Sequence, residues 1–212
     1  MVLFGYIFSV YTRTVRMAMH IKNATYAFEE MDPFDPSDAS AVAVVHPFLR
    51  VPALRVDRFA IYETQAILDY LEAVIPEPRL QPLDPQQAAR MRQVMSIADS
   101  YFYWPLVRQA AAQHVFNPLL GDPVDETERA KGVAAAPRVL DALEALTSQV
   151  LRSGNLTLAD CHLWPMMDYA LMVPELEEMV ANRPGLLAWS TAMAAHPAAR
   201  ATKPDLEALR DG

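Results

Sequence analysis

The sequence contains a single cysteine and only six glycines, and both scarcities exclude kinds of site. With Cys161 alone, an intramolecular disulfide and a cysteine-pair metal site are excluded. The lack of disulfides is consistent with a protein of a reducing compartment. The few glycines form no phosphate-binding loop, and the five histidines have no metal-ligand spacing. We therefore expect neither a bound metal nor a nucleotide.

Positive charge and long apolar runs are also scarce. The formal net charge is -8, which repels nucleic acid and acidic membrane surfaces. Arg13 and Arg16 lie close together on the first helix, where we expect an exposed, solvated pair. No run approaches the roughly 18–20 apolar residues of a membrane span, and residues 1–16 lack the pattern of a signal peptide. We expect a cytoplasmic protein that binds neither nucleic acid nor membranes.

Apolar residues and proline, by contrast, are plentiful. Hydrophobic residues make up 52% of the 212 positions, enough for two compact cores. Four of the 17 prolines fall within ten residues, a density that neither a helix nor a central strand tolerates: Pro76, Pro78, Pro82 and Pro85. We take this segment as a linker between domains at 1–77 and 86–212.

The first domain alternates strands and helices. Val2–Tyr6 is apolar and strand-like, and the apolar residues after it recur at helical spacing up to a stop at Asn23. Tyr26–Met31 is a second strand candidate, and residues 32–47 indicate a loop with one short helix. Two further strands and a helix follow, at Pro52–Val56, Phe59–Tyr62 and Glu63–Ile75, with Asp57 and Arg58 as a tight turn. The predicted order is βαβ, irregular, ββα.

The second domain has lost strand-like alternation and is predicted to be all-α. Helical spacing extends near 86–113, 125–152, 158–171 and 184–195, with a bend at Pro105. Thr157 and Asp160 form a capping box, with Leu156 and Cys161 at the staple positions. We interpret Asp160 and Cys161 as structural.

Two places in the first domain favour binding of a charged, peptide-like ligand. Ser9 lies between the first strand and the first helix, where free N–H groups stabilise an anion such as a thiolate, although a serine there is also an ordinary N-cap. Glu63 and Thr64 open a later helix, where they could hold an ammonium and a carboxylate or simply cap the helix. Arg50 could hold a second carboxylate or be solvated. Pro52 could be cis or an ordinary trans proline at the start of a strand.

Taken in order, three motifs resemble the glutathione-binding half of cytosolic glutathione transferases. They are Ser9-x-x-Thr12-Arg13-x-Val15, His46-Pro47-Phe48-x-Arg50-Val51-Pro52-Ala53-Leu54 and Tyr62-Glu63-Thr64-x-Ala66-Ile67-x-x-Tyr70-Leu71. The resemblance implies a thioredoxin-like α/β domain followed by an all-α domain, with Val51–Pro52 cis. It also implies that the Val51 backbone pairs with the cysteinyl part of glutathione, that Glu63 and Thr64 hold the γ-glutamyl end, and that Arg50 faces the glycyl carboxylate.

The resemblance further implies that Ser9 is the catalytic residue, as in the serine-type classes. Tyr6, Tyr11 and Thr12 remain alternatives for the contact with the thiolate. Two departures stand out: His46 to Leu49 replace the usual Asn-Pro-Phe-Gly, and Thr64 replaces a serine while keeping the hydroxyl.

For the rest of the chain, the resemblance implies a second-substrate pocket on the long helix of the second domain and a homodimer. Tyr101, Trp104 and Arg108 would line this pocket, although an aromatic stripe is more often core. We expect a glutathione transferase with glutathione as co-substrate and a small electrophile as partner. The alternative is a non-catalytic interaction protein with the same fold.

Overall fold

The computed structural model describes residues 1–151 and 156–210, and the chain divides into two compact units. Unit 1 comprises Met1–Leu80 and Ala201–Pro204, and unit 2 comprises the described residues of 81–200 and those from Asp205 on. The end of the predicted helix at residue 152 and the end of the predicted second domain at residue 212 lie outside the described residues.

Unit 1 is a mixed four-stranded sheet with three helices, as predicted. The strands are β1 (Val2–Gly5), β2 (Ala27–Glu30), β3 (Ala53–Val56) and β4 (Phe59–Tyr62), in the order β2-β1-β3-β4. The helices are α1 (Val10–Ile21), α2 (Ala39–Val45) and α3 (Thr64–Val74). Strand β1 is parallel to β2 and antiparallel to β3, and β4 is antiparallel to β3. This is the thioredoxin-like domain that the sequence predicted.

The core of unit 1 joins the two central strands to α1 and α3. Its fully buried members are Leu3, Val15, Met19, Leu54, Ile67 and Leu71. The helical members are spaced four residues apart, so each pair lies on one face of its helix and covers the sheet. The chain reverses where non-glycine residues adopt a positive φ, at Asn23 (51°) after α1 and at Asp57 (52°) between β3 and β4. Both positions were predicted as stops or turns.

The prediction of an exposed arginine pair on α1 was wrong. Arg13 is buried, with 1% of its surface exposed, one turn before the fully buried Met17. Arg16 is half-buried, and its guanidinium lies 5.1 Å from the centroid of the Phe28 ring. Helix α1 is buried over most of its circumference, so an arginine in its middle cannot reach solvent freely. The spacing of the large apolar residues predicted one buried face of α1 and did not indicate that Arg13 is buried as well.

The proline-rich segment after α3 is anchored by a buried lysine. The ammonium of Lys22, just beyond α1, lies 2.6 Å from Glu72 Oε1 and donates to the carbonyls of Ile75 (2.7 Å) and Pro78 (3.0 Å). Glu72 also accepts the backbone N–H of Leu80 at 3.2 Å. All three ammonium protons thus have acceptors, as a buried charge requires.

Beyond Leu80 the chain is helical, as predicted. The helices are α4 (Pro85–Ile97), a π-helical segment (Ala98–Phe116), α5 (Asn117–Leu120), α6 (Glu126–Thr147), α7 (Leu158–Ala170), α8 (Pro174–Ala181), α9 (Pro184–Ala195) and α10 (Pro197–Ala201), followed by a 3-10 turn (Leu206–Arg210). The segment that contains Pro105 is π-helical, and at its end the Asn117 N–H donates to the carbonyl of Ala112, five residues back. The bend at Pro105 stays a prediction. Helix α8 was not predicted.

The predicted capping box at the start of α7 is present. Asp160 accepts hydrogen bonds from the Thr157 N–H (2.7 Å) and hydroxyl (2.8 Å) and from the indole N–H of Trp189 (2.8 Å). Asp160 and Cys161 are both fully buried. Burial raises the pKa of the Asp160 carboxyl above its ordinary value, and the three hydrogen bonds oppose that rise. Asp160 therefore links α7 to α9 in the core of unit 2.

Candidate functional site

The strand register of unit 1 gathers three chain segments at one edge of the sheet. Phe4 near the end of β1 pairs with Ala53 at the start of β3, and Ala53 also pairs with Tyr62 at the end of β4. The residues that follow β1, precede β3 and follow β4 therefore share this edge. These are the segments that carry the predicted site residues Ser9, Arg50, Val51, Pro52, Glu63 and Thr64.

Ser9 caps α1 and is half-buried. Its Oγ accepts the backbone N–H of Thr12 at 3.3 Å, and its extended backbone (φ -71°, ψ 124°) is typical of an N-cap. A serine hydroxyl has two lone pairs and one proton, so the cap occupies a lone pair and leaves the O–H as a donor. The first turn of α1 contains no acidic residue, so its positive end is not neutralised from within the helix.

Tyr6, an alternative to Ser9, has its hydroxyl engaged elsewhere. Burial, the negative charges of Asp32 and Glu30, and a hydrogen bond to Asp32 raise the pKa of Tyr6 to about 12. The phenol is therefore neutral near pH 7, and its proton is directed to a carboxylate. A residue that stabilises a thiolate needs the opposite environment.

The other two alternatives lie in the first turn of α1. Thr12 is fully buried against Gly5, where an added Cβ would lie 2.4 Å from Thr12 Cγ2. Its hydroxyl is therefore closed off from a ligand by the end of β1. Tyr11 is half-buried.

The segment before β3 has the predicted backbone geometry. The Val51–Pro52 peptide bond is cis, as the resemblance implies; Pro52 is buried and Val51 half-buried. Arg50 is exposed, so its guanidinium is accessible to an anion. Leu49 has a φ of 53°, the left-handed region that glycine adopts without a steric penalty. This is the position at which the family motif has glycine, so the departure here strains the backbone.

At the start of α3, Glu63 and Thr64 differ in exposure. Glu63 also has a left-handed backbone (φ 72°), and 65% of its side chain is exposed. Thr64 is buried as the first residue of the helix. An accessible carboxylate thus stands beside a buried hydroxyl and the free N–H groups of a helix terminus. This combination suits a group that carries both an ammonium and a carboxylate.

His46 also lies at this edge, and we did not predict it as a site residue from the sequence. It is buried, its Nε2 lies 3.8 Å from Glu63 Oε1, and its ring centroid lies 4.7 Å from that of Tyr62. Burial lowers the pKa of His46, the Glu63 carboxylate raises it, and the Arg50 guanidinium lowers it. The available signal was its position in the motif before the cis proline, where the family has asparagine.

The predicted second-substrate residues belong to the π-helical segment of unit 2. Tyr101 and Trp104 expose 63% and 61% of their surface, and Arg108 is also exposed. They are therefore not core residues, which was the alternative interpretation of this stripe. Phe102, which lies between Tyr101 and Trp104 in sequence, is fully buried and belongs to the core of unit 2.

Two other kinds of feature, a metal site and a membrane-spanning helix, are absent from the described parts of the chain. Within residues 1–151 and 156–210, no group of three or more histidine, cysteine, aspartate or glutamate side chains is placed to hold a metal ion. None of the helices described in these ranges has the length and apolar character to cross a membrane.

The two units together define the glutathione transferase fold, and comparison with known proteins agrees. The family described as "Glutathione S-transferase, N-terminal domain" matches residues 3–79, and "Glutathione S-transferase, C-terminal domain" matches residues 88–197. The chain therefore belongs to the glutathione S-transferase family and is a glutathione transferase enzyme, as the motifs predicted.

Individual relatives cover most of the chain. Glutathione S-transferase F6 of Arabidopsis thaliana is 27% identical over 200 residues, 93% of this chain and 96% of the relative. A glutathione S-transferase of Hyoscyamus muticus is 30% identical over 158 residues, 73% and 74% of the two chains. A theta class enzyme of Xanthomonas axonopodis pv. citri, solved with glutathione bound, superposes with a TM-score of 0.79 at 22% identity, over 97% of this chain and 98% of the other. This last likeness concerns the fold alone.

Proposed function

We propose that the chain binds glutathione at the β1, β3 and β4 edge of unit 1 and activates its thiol for attack on a small, mostly hydrophobic electrophile. The observation that carries the proposal is the geometry of Ser9, whose Oγ accepts the Thr12 N–H and keeps its own proton available. The glutathione thiol loses its proton to water, and the Ser9 O–H donates to the resulting sulfur anion. The sulfur then forms a bond to the electrophilic carbon, while the leaving group departs with the electron pair of the bond that breaks. No covalent bond to the enzyme is needed.

The charges around α1 support an anion at Ser9. The N-terminal N–H groups of the helix and its dipole favour negative charge. Two acidic side chains at and just after the end of β2 are engaged with other groups: Glu30 accepts the Ile7 N–H at 3.2 Å, and Asp32 accepts from Tyr6. A thiolate at the Ser9 hydroxyl would thus accept hydrogen bonds from that hydroxyl and from the N-terminal N–H groups of α1.

The remaining predicted residues would hold the two ends of the peptide. Glu63 would face the ammonium of the γ-glutamyl group, the Thr64 hydroxyl its carboxylate, and Arg50 the glycyl carboxylate, while the Val51 backbone pairs with the cysteinyl part next to Pro52. In this proposal residues 1–77 bind glutathione. Residues 86–212 supply Tyr101, Trp104 and Arg108 to the electrophile.

The test of the proposed function combines retention on immobilised glutathione with a conjugation assay using a model electrophile. Retention and conjugation together support it. The alternative, a non-catalytic protein, predicts retention without conjugation, and absence of both contradicts glutathione binding at this edge.

Replacing Glu63 by alanine is expected to weaken glutathione affinity by about 1.5–3 kcal/mol, the range for a hydrogen bond to a charged group. Calorimetric titration measures the change, with Glu178→Ala as control because Glu178 is an exposed glutamate on α8 of unit 2. Equal affinity of Glu63→Ala and wild type would remove the γ-glutamyl site.

We also propose that the protein is a symmetric homodimer, as two-fold association is the commonest closed arrangement. Unit 1 exposes large apolar side chains, of which Phe48 is 68% exposed, and surface of this kind is commonly buried by association. Light scattering should give twice the chain mass of 23.7 kDa at micromolar concentration. A mass of one chain would contradict the proposal.

A further inference from the structure

His46 makes one contact from each of its ring nitrogens. Nδ1 accepts the backbone N–H of Phe48 at 3.3 Å, and Nε2 lies 3.8 Å from Glu63 Oε1. The ring is held between aromatic groups, 6.1 Å from Phe48 and 4.7 Å from Tyr62 by centroid distance. The imidazole is therefore fixed in orientation, with Nε2 directed at the exposed carboxylate.

The Phe48 contact sets the tautomer of the neutral ring. Because Nδ1 accepts a hydrogen bond, it carries no proton in that state, and the proton lies on Nε2. Neutral His46 thus presents an N–H towards Glu63. At 3.8 Å this is an electrostatic contact just beyond hydrogen-bond length, and it leaves the negative charge of Glu63 intact for a cationic ligand.

We infer that His46 is a positioning residue for glutathione: the neutral ring orients the Glu63 carboxylate towards the ammonium of the γ-glutamyl group, whereas the protonated ring competes with that ammonium for the carboxylate. The inference rests on the proposed binding of glutathione. Asparagine, the residue of the family motif, is too short to offer the same N–H at this distance, so the device belongs to this chain.

Protonation of His46 reverses its effect. The groups that face the ring are the Glu63 carboxylate, the Arg50 guanidinium and the Tyr62 phenol. Burial is the largest cause of a pKa for His46 below the ordinary 6.5, so the ring is neutral near pH 7. At lower pH the imidazolium would pair with Glu63 and compete with the ligand's ammonium. Glutathione binding should then drive the proton off His46.

The experiment is calorimetric titration of wild type, His46→Asn and His46→Gln with S-methylglutathione between pH 5 and 8. This probe has no thiol, so ionisation of a thiol beside Ser9 does not contribute to the proton release that is measured. Asparagine places an oxygen where Nδ1 accepts from Phe48, whereas glutamine places an N–H near Nε2. Titrations in two buffers of different ionisation enthalpy give the protons released on binding.

We expect wild type to lose affinity and release a fraction of a proton as the pH falls below 6.5. His46→Asn should bind about two- to fivefold more weakly at pH 8, the scale of a partly exposed charge contact, without proton release. His46→Gln should recover part of that affinity, also without proton release. Wild type that binds without proton release, or variants that reproduce its pH profile, would overturn the inference. Wild type that does not bind the probe would overturn the proposed function and this inference together.

Discussion

Replacing Ser9 by alanine is expected to lower turnover with a model electrophile by about 10²–10³, the usual loss when one preorganised donor to a developing anion is removed. Ser9 Oγ accepts the Thr12 N–H at 3.3 Å, so the free O–H is the group that the variant removes from the sulfur. Glutathione affinity should change far less, since Arg50, Glu63 and Thr64 are proposed to hold the ends of the peptide. The measurement is kcat and KM for conjugation.

Ser9→Gly separates the donor from the helix cap. Glycine at an N-cap costs only a few tenths of a kcal/mol relative to serine, whereas alanine costs about 1 kcal/mol. Both variants should therefore lose turnover equally, and only Ser9→Ala should lose measurable stability. Retained turnover in Ser9→Gly would show that Ser9 acts only as the helix cap. Tyr11, which is half-buried, would then be the next candidate for the contact with the thiolate.

Replacing Asp160 by alanine is expected to lower the free energy of unfolding by about 2–5 kcal/mol, because each buried donor that loses its acceptor costs about 1–3 kcal/mol. The variant leaves the Thr157 N–H and the buried indole N–H of Trp189 without the acceptor that they have at 2.7 and 2.8 Å. Urea unfolding at fixed protein concentration measures the change.

Asp125→Ala is the matched control for Asp160. Asp125 caps α6 by accepting the N–H groups of Thr127 (2.9 Å) and Glu128 (3.1 Å), but it is exposed. Loss of an exposed cap costs about 1 kcal/mol. If Asp160→Ala lost no more than Asp125→Ala, the burial of the Asp160 network would not be a main source of stability in unit 2.

Local patterns predicted most of the fold. The four-residue spacing of Val15 and Met19 marked the buried face of α1, and the same spacing of Ile67 and Leu71 marked that of α3. Asp57, which tolerates a positive φ, marked the turn between β3 and β4. These features depend on a few neighbouring residues, so the sequence contains the information directly.

Features that depend on distant partners could not be predicted in this way. Arg13 is a charged residue, for which the sequence predicts exposure, yet the packing around α1 buries it. Lys22 is buried because the Glu72 carboxylate and two carbonyls, fifty or more positions away in sequence, accept its ammonium protons. Spacing along one helix does not report either environment.

The candidate site divides in the same way. Motif order singled out Ser9, Val51–Pro52 and Glu63, and strand register brings their segments to one edge of the sheet. The contact of His46 with Glu63 depends on how the loop after α2 folds back onto the start of α3. The aromatic stripe of unit 2 was ambiguous because core and surface use the same residues, and only the structure places Tyr101 and Trp104 at the surface.

The central claim is that the Ser9 hydroxyl stabilises the glutathione thiolate. Its most direct test is thiolate absorbance against pH for glutathione bound to wild type and to Ser9→Ala. We expect a thiol pKa below the ordinary ~8.5 in the wild-type complex and a return towards that value in Ser9→Ala. The same lowered pKa in both complexes would contradict it.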